Sequence, residues 1–153
     1  MAKKNDVIDT GLVEFALPFD RGEEKIYFNP NDTEFYIRIS DMINEISSLY
    51  DTMSSKYENA TAAMDKLHIV RELNESVKAA FDVAFGNEVS NVIFKYVSPN
   101  GIVRSRQQYF AFYILEWLMP KIEAEAGKAF TEANQALAKA INKHTEKYNH
   151  KFK

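Results

Sequence analysis

The sequence predicts a mainly α chain of the α+β class: a short N-terminal β-hairpin followed by a bundle of four to five helices, the last of them long and kinked. Two observations predict it. Apolar residues alternate with polar ones before residue 30 and recur at three- and four-residue steps after it. Backbone breakers are few, with five Gly and four Pro in 153 residues. A chain of this length buries roughly 70% of the surface its unfolded form exposes, enough for one domain with a real core. The expected organisation is a single domain over 1–153, with a hairpin over 1–30, a helical core over 31–101, a long C-terminal helix over 102–148 and a basic tail over 149–153.

In the hairpin, Val13, Phe15, Leu17 and Phe19 alternate with Glu14, Ala16 and Pro18. Asp20-Arg21-Gly22-Glu23 makes the turn, and Ile26 and Phe28 alternate with Lys25 and Tyr27 in the second strand. Pro18 has no N–H to give a ladder, so its strand belongs at an edge or ends in a bulge. A lone hairpin is marginal in water and must pack on helices or pair with another chain.

Pro30, Asn31 and Glu34 have capping-box spacing, which places a helix start at Asn31. Phe35, Ile39, Met42/Ile43, Ile46, Leu49/Tyr50, Met53 and Tyr57 continue it on one face. Phe35, Ile37 and Ile39 also alternate, so the first turn has a strand reading, which the longer register overrules. A second helix carries Ala60/Ala63, Leu67, Val70, Leu73, Val77, Phe81 and Phe85, and Gly86 closes it with a left-handed cap. Asn87 then caps a short helix with Val89, Val92/Ile93 and Tyr96/Val97 inward, ended by the turn Ser98-Pro99-Asn100-Gly101. The last helical stretch runs from about Ser105 to Tyr148, with a kink expected at Pro120. Upstream of that proline, apolar side chains cover nearly the whole circumference. Downstream, Ile122, Ala126, Ala129/Phe130, Ala133, Leu137 and Ala140/Ile141 leave a narrow stripe.

Composition removes several function classes. With no Cys, the chain has no structural disulfide, thiolate–zinc site, iron–sulfur ligation or thiol nucleophile. The longest apolar run, Tyr109 to Met119, holds eleven residues with Glu116 inside it, too short for a membrane span of about 20. No secretory leader is legible in MAKKNDVIDTGLV. Asp65, His68 and Glu72 share a helix face, but the pattern occurs once where a carboxylate-bridged metal site needs it twice; a surface histidine is expected, with no metal and no cofactor. His144 and His150 stand six apart, which is not metal spacing on a helix. Glycine-rich phosphate loops and nucleophile elbows are missing, so the expectation is a non-enzyme.

Charge is graded: the net formal charge is −2 over residues 1–30, −4 over 31–60, −1 over 61–100 and +4 over 101–153. The basic end includes Arg104 and Arg106. The overall balance of −3 and the core-like spacing of the rings nevertheless argue against a nucleic-acid surface. What stands out is aromatic: 20 of 153 residues are Phe, Tyr or Trp. Five of them fall between Tyr109 and Trp117, next in interest to the Phe81/Phe85 pair. A central core helix is the ordinary explanation. The functional one is that a hairpin and four helices are too few to cover a helix apolar all round, leaving Phe81, Phe85, Tyr109, Phe110, Tyr113 and Trp117 as candidate protein-interaction residues.

The stretch VRELNESVKAAFDVAFGNEVSNVIF, with Phe81-Asp82-Val83-Ala84-Phe85-Gly86 at its centre, resembles a segment of the small tail assembly chaperones of long-tailed bacteriophages. About 30 residues share the motif. The wider layout is similar too: a β-rich start, Asn29 to Thr33 leading into a helix, an aromatic helix and a basic tail. The resemblance implies a non-catalytic protein of the host cytoplasm. Such a protein coats the long, aggregation-prone tape measure protein, helps recruit tail tube subunits, and self-assembles; many members are also made in a frameshift-extended form. Two other readings remain beside it: a structural virion protein such as a tail-completion or head–tail connector subunit, which would persist in finished particles, and an α-helical nucleic-acid binder.

Overall fold

The computed structural model describes residues 7–129. Strands β1 (Val13–Phe19) and β2 (Gly22–Phe28) form the predicted hairpin, antiparallel, with Val13 opposite Phe28 and Phe19 opposite Gly22. Alternation aims Leu17, Ile26 and Phe28 into the core and leaves Glu14, Lys25 and Tyr27 outside. With β2 as its partner in a two-stranded sheet, β1 is an edge strand, which accommodates Pro18.

Helix α1 (Thr33–Asn59) is capped by Asp32, one residue later than the predicted Asn31. The Asp32 carboxylate accepts from the Glu34 N–H at 3.0 Å, whereas the Asn31 N–H donates to the Asn29 side chain in the preceding turn. Phe35, Tyr36, Ile39, Met42, Ile43, Ile46 and Tyr50 are buried, while Ile37 is 45% exposed, as the helical register requires and strand alternation does not. Helix α2 (Ala63–Phe85) folds back against α1 through a three-residue link. The Arg38 Nε donates to the carbonyl of Ala84 at 3.0 Å, placing the second turn of α1 beside the last turn of α2. Gly86 ends α2 at φ 73°, the left-handed cap expected of it.

Beyond Tyr50 and before Leu73 no third layer of described residues covers the two helices fully. Tyr57 and Leu67, predicted to point inward, are 41% and 61% exposed, and Met64 is exposed beside them. The short helix α3 (Ser90–Ile93) is a single turn. Val89, Ile93 and Phe94 are buried in it, Val92 and Val97 are half-buried, and Tyr96, predicted inward, is exposed.

Residues 102–109 are not the first turns of the C-terminal helix. They form a second hairpin, β3 (Ile102–Val103) with β4 (Gln108–Tyr109), so the helix start predicted near Ser105 is corrected to Phe110. The four residues between the strands turn because the Arg106 and Gln107 N–H groups both donate to the Val103 carbonyl and Gln107 adopts φ 53°. Helix α4 (Phe110–Ala129) continues through Pro120. Its first donors are satisfied by loop carbonyls: Phe110 N–H to Gly101 at 2.7 Å and Ala111 N–H to Pro99 at 3.0 Å. Gly101 is required there, since a Cβ would strike the Val97 side chain.

Aromatic rings tie the elements together. Phe28 stacks on Phe35 at 4.9 Å, and both meet Phe85, joining β2 to both long helices. Phe112 lies 4.6 Å from Tyr50, and Glu125 acts electrostatically on Tyr36, so α4 runs antiparallel to α1. No described helix is long and apolar enough to cross a membrane. The predicted stripe from Phe130 to Ile141, the helix continuation to Tyr148, His144, His150 and the basic tail lie outside the described residues.

Candidate protein-interaction groove

The Phe-Asp-x-x-Phe-Gly segment is a folding corner. Phe81 is fully buried against Phe94, at 5.2 Å and edge-on, and Phe85 is buried between Phe28 and Phe35. Between them, the Asp82 carboxylate accepts from the Ser90 N–H at 2.8 Å and the Ser90 hydroxyl at 2.7 Å, holding the start of α3 where Asn87 was expected to cap it. Phe81, Asp82 and Gly86 serve the turn from α2 into α3, while Phe85 and the Ala84 carbonyl tie the end of α2 to β2 and α1. Phe81 and Phe85, selected from the sequence as interaction residues, are both packed in the interior of this fold.

Phe110 is also interior, in ring contact with Phe19, Phe94 and Tyr113. Tyr109 is half-buried but faces elsewhere. It packs on Tyr50 and Phe112 and borders a hollow of about 350 Å³ shared with Met53, Tyr57, Val70 and Asn100. In that region the Tyr50 hydroxyl donates to the Asn100 side chain at 2.8 Å, and Asn74 accepts from the Asn100 N–H at 3.0 Å, which rivets α1 and α2 to the turn before β3.

Tyr113 and Trp117 behave differently. From Phe110 to Ala126 the positions that are not buried are 113, 116, 117, 120, 121 and 123–125. Residues 113, 117, 120, 121 and 124 recur at three- and four-residue steps, so they form one stripe on the half of α4 that the described residues leave partly open, with Glu116 and Glu123 along its edge. The open stripe forms one wall of a groove of about 370 Å³. Its other walls are the end of β1, from Leu17 to Asp20, and the β3 residues Ile102 and Val103, with Ile114 and Phe110 at its base. Ile102, 59% exposed, stands on the rim.

Cations decorate this wall. The Arg106 guanidinium lies 5.7 Å from the centre of the Tyr113 ring, and the Lys121 ammonium 3.9 Å from that of Trp117, each over the negative face of its ring. Arg104 shares the β3–β4 turn with Arg106 and is exposed. Among the described residues the surface ion pairs lie elsewhere: Lys25 with Glu14, and Lys95 with Glu24. The hydrogen bond to Lys95 holds the Glu24 carboxyl below its ordinary range. The β3–β4 hairpin that creates the groove left little trace in the sequence, because two-residue strands are too short to show a period.

Among the described residues no group of three or more His, Asp or Glu side chains is placed to hold a metal ion. Asp65, His68 and Glu72 are all exposed on α2. Comparison of the chain with protein-family models, with curated proteins and with solved structures found no match.

Proposed function

We propose that this protein is a non-enzymatic tail assembly chaperone of a long-tailed bacteriophage, acting in the host cytoplasm to bind and solubilise the tape measure protein and to help recruit tail tube subunits. The observation that carries the reading is the open aromatic stripe of α4. Tyr113 and Trp117 offer broad apolar faces in a groove suited to the apolar side of an amphipathic helix, the form a long helical client presents. The Phe81 to Gly86 resemblance now weighs as a shared fold corner rather than a shared contact surface. Self-association, a bundle extended by a C-terminal helix bent at Pro120, and tail tube recruitment belong to the same proposal.

Co-expression with a tape measure protein tests it. The expected result is more soluble client, co-purifying with this chain and lost with Trp117→Ala while the variant keeps its helical spectrum. Unchanged client solubility with no co-purification overturns the proposal. Presence of the chain in finished particles, read by mass spectrometry, would instead identify a structural subunit.

A further inference from the structure

We infer that the groove beside α4 is selective for acidic amphipathic helices, that is, for segments whose apolar ridge is bordered by Glu or Asp. The inference deepens the proposed function and rests on it only for the identity of the client. Three features carry it.

The first is the α4 wall. Tyr113 and Trp117 stand one helical turn apart on α4, with Lys121 a further turn along, so the exposed surface is a ridge of i, i+4 side chains. Such a ridge packs into the grooves of a second helix. A volume of about 370 Å³ takes a few side chains, not a folded domain.

The second is charge. Arg106 and Lys121 lie against the wall, Arg104 shares the exposed β3–β4 turn with Arg106, and among the described residues none of the three has an ion pair. Arg106 and Lys121 instead rest on the aromatic faces that a ligand helix would cover. Asp20 is the one acidic residue lining the groove, and Arg21 follows it in the same exposed turn. A helix seated on Tyr113 and Trp117 with carboxylates on its flanks would give these cations partners. One with lysine flanks would add like charges beside them.

The third is exclusion of the nearest alternative. Residues 130–153 of this chain carry five Lys and two Glu, a net charge of the same sign as Arg106 and Lys121, whereas an acidic helix is of opposite sign.

The test uses two designed alanine-based helical peptides of about 20 residues, with identical leucine ridges and either glutamate or lysine flanks. Each is titrated into the full-length protein. Trp117 is the single tryptophan of the chain and lies in the groove, so its emission reports occupancy directly. The glutamate peptide is expected to shift that emission and to bind about tenfold more tightly than the lysine peptide, the sum of a few exposed ion pairs. The preference should shrink as salt is raised, and the double variant Arg104→Glu, Arg106→Glu should reverse it. Both arginines are exposed, and an unchanged helical spectrum shows that the double variant still folds.

Equal affinity for the two peptides, or a preference that survives the double charge reversal, overturns the inference. Equally tight binding of a proline-interrupted glutamate peptide overturns its helical part. Concentration-dependent self-association that blocks both peptides would assign the groove to a second copy of the chain, and also overturns it. If the client still co-purifies while the peptides bind without charge preference, the inference fails and the chaperone reading stands.

Discussion

Truncating Phe110 and Trp117 separately should distinguish the inside of α4 from its open stripe. Phe110 is 5% exposed and packs against Phe19, Phe94 and Tyr113 at ring distances of 6.4, 5.9 and 6.4 Å. Phe110→Ala deletes a ring at a junction where β1, the segment after α3 and α4 meet, and little around it can collapse. The expected cost is about 3–5 kcal/mol, transfer and cavity together. Trp117 is only half-buried, so Trp117→Ala should lose roughly half as much, about 1.5–2.5 kcal/mol. Urea unfolding followed by far-ultraviolet circular dichroism reads both, since one variant lacks the tryptophan. With a slope of about 2 kcal/mol per molar, the midpoint should fall by about 1.5–2.5 M for Phe110→Ala and by about 1 M for Trp117→Ala. Client binding should show the opposite order among molecules that remain folded. A loss under about 1 kcal/mol for Phe110→Ala would refute the placement of its ring in the core. A larger loss for Trp117→Ala than for Phe110→Ala would refute the open stripe.

Asp82→Ala should destabilise by about 1–3 kcal/mol, because it strips two hydrogen-bond partners from Ser90, which is 7% exposed; urea unfolding checks it, and Ser90→Ala added to Asp82→Ala should cost much less than its own single effect. Gly86→Ala should cost about 1–2 kcal/mol from left-handed backbone strain alone, since no atom lies near enough to clash with the new Cβ; Gly86→Asn should recover part of it, by the same assay. Tyr36, whose hydroxyl donates to the Pro30 carbonyl, is pushed up to about 12, by burial first and by the charge of Glu125 second. Burial pushes Tyr50 up as well. A raised tyrosine pKa means that the folded state prefers the neutral phenol. The stability it contributes is complete below the unfolded value near 10 and is lost as pH rises through the folded value. Phenolate absorbance should therefore show these two tyrosines ionising late and together with unfolding, and Tyr36→Phe should flatten the fall of stability between pH 10 and about 12.

The sequence made the two long helices, the first hairpin and the Gly86 stop legible, because each carries many turns of one period or a residue with a single conformational use. What it hid has physical causes. Asp32 rather than Asn31 caps α1, since it is the Asp32 carboxylate that reaches the Glu34 N–H while Asn31 belongs to the Asn29 turn before it, a choice between adjacent Asx residues that spacing alone does not rank. Residues 102–109 read as helix because the turn from Arg104 to Gln107 contains no Gly, Asn or Pro, and its left-handed position is taken by Gln107. Tyr57 and Leu67 sit at core spacing yet face outward because periodicity identifies a face without saying whether a third layer covers it.

The same distinction decides what the aromatic excess means. An aromatic motif is conspicuous in a sequence whether its rings close a core or meet a partner, and Phe81 and Phe85, which carried the resemblance, prove to close the core. Burial alone would then leave no interaction site. Yet among the described residues the two hairpins and two long helices do not cover all of the apolar circumference of α4, and the remainder emerges at Tyr113 and Trp117, with cations lying on the rings. Such a cation keeps an exposed aromatic face partly shielded from water without burying it, and it can turn to a carboxylate when a ligand takes the ring. Solubility of the free chain and affinity for an acidic amphipathic client would then depend on the same two side chains, Arg106 and Lys121. Replacing them with neutral residues should therefore weaken binding and promote aggregation together, whereas a purely structural role for α4 ties neither property to them.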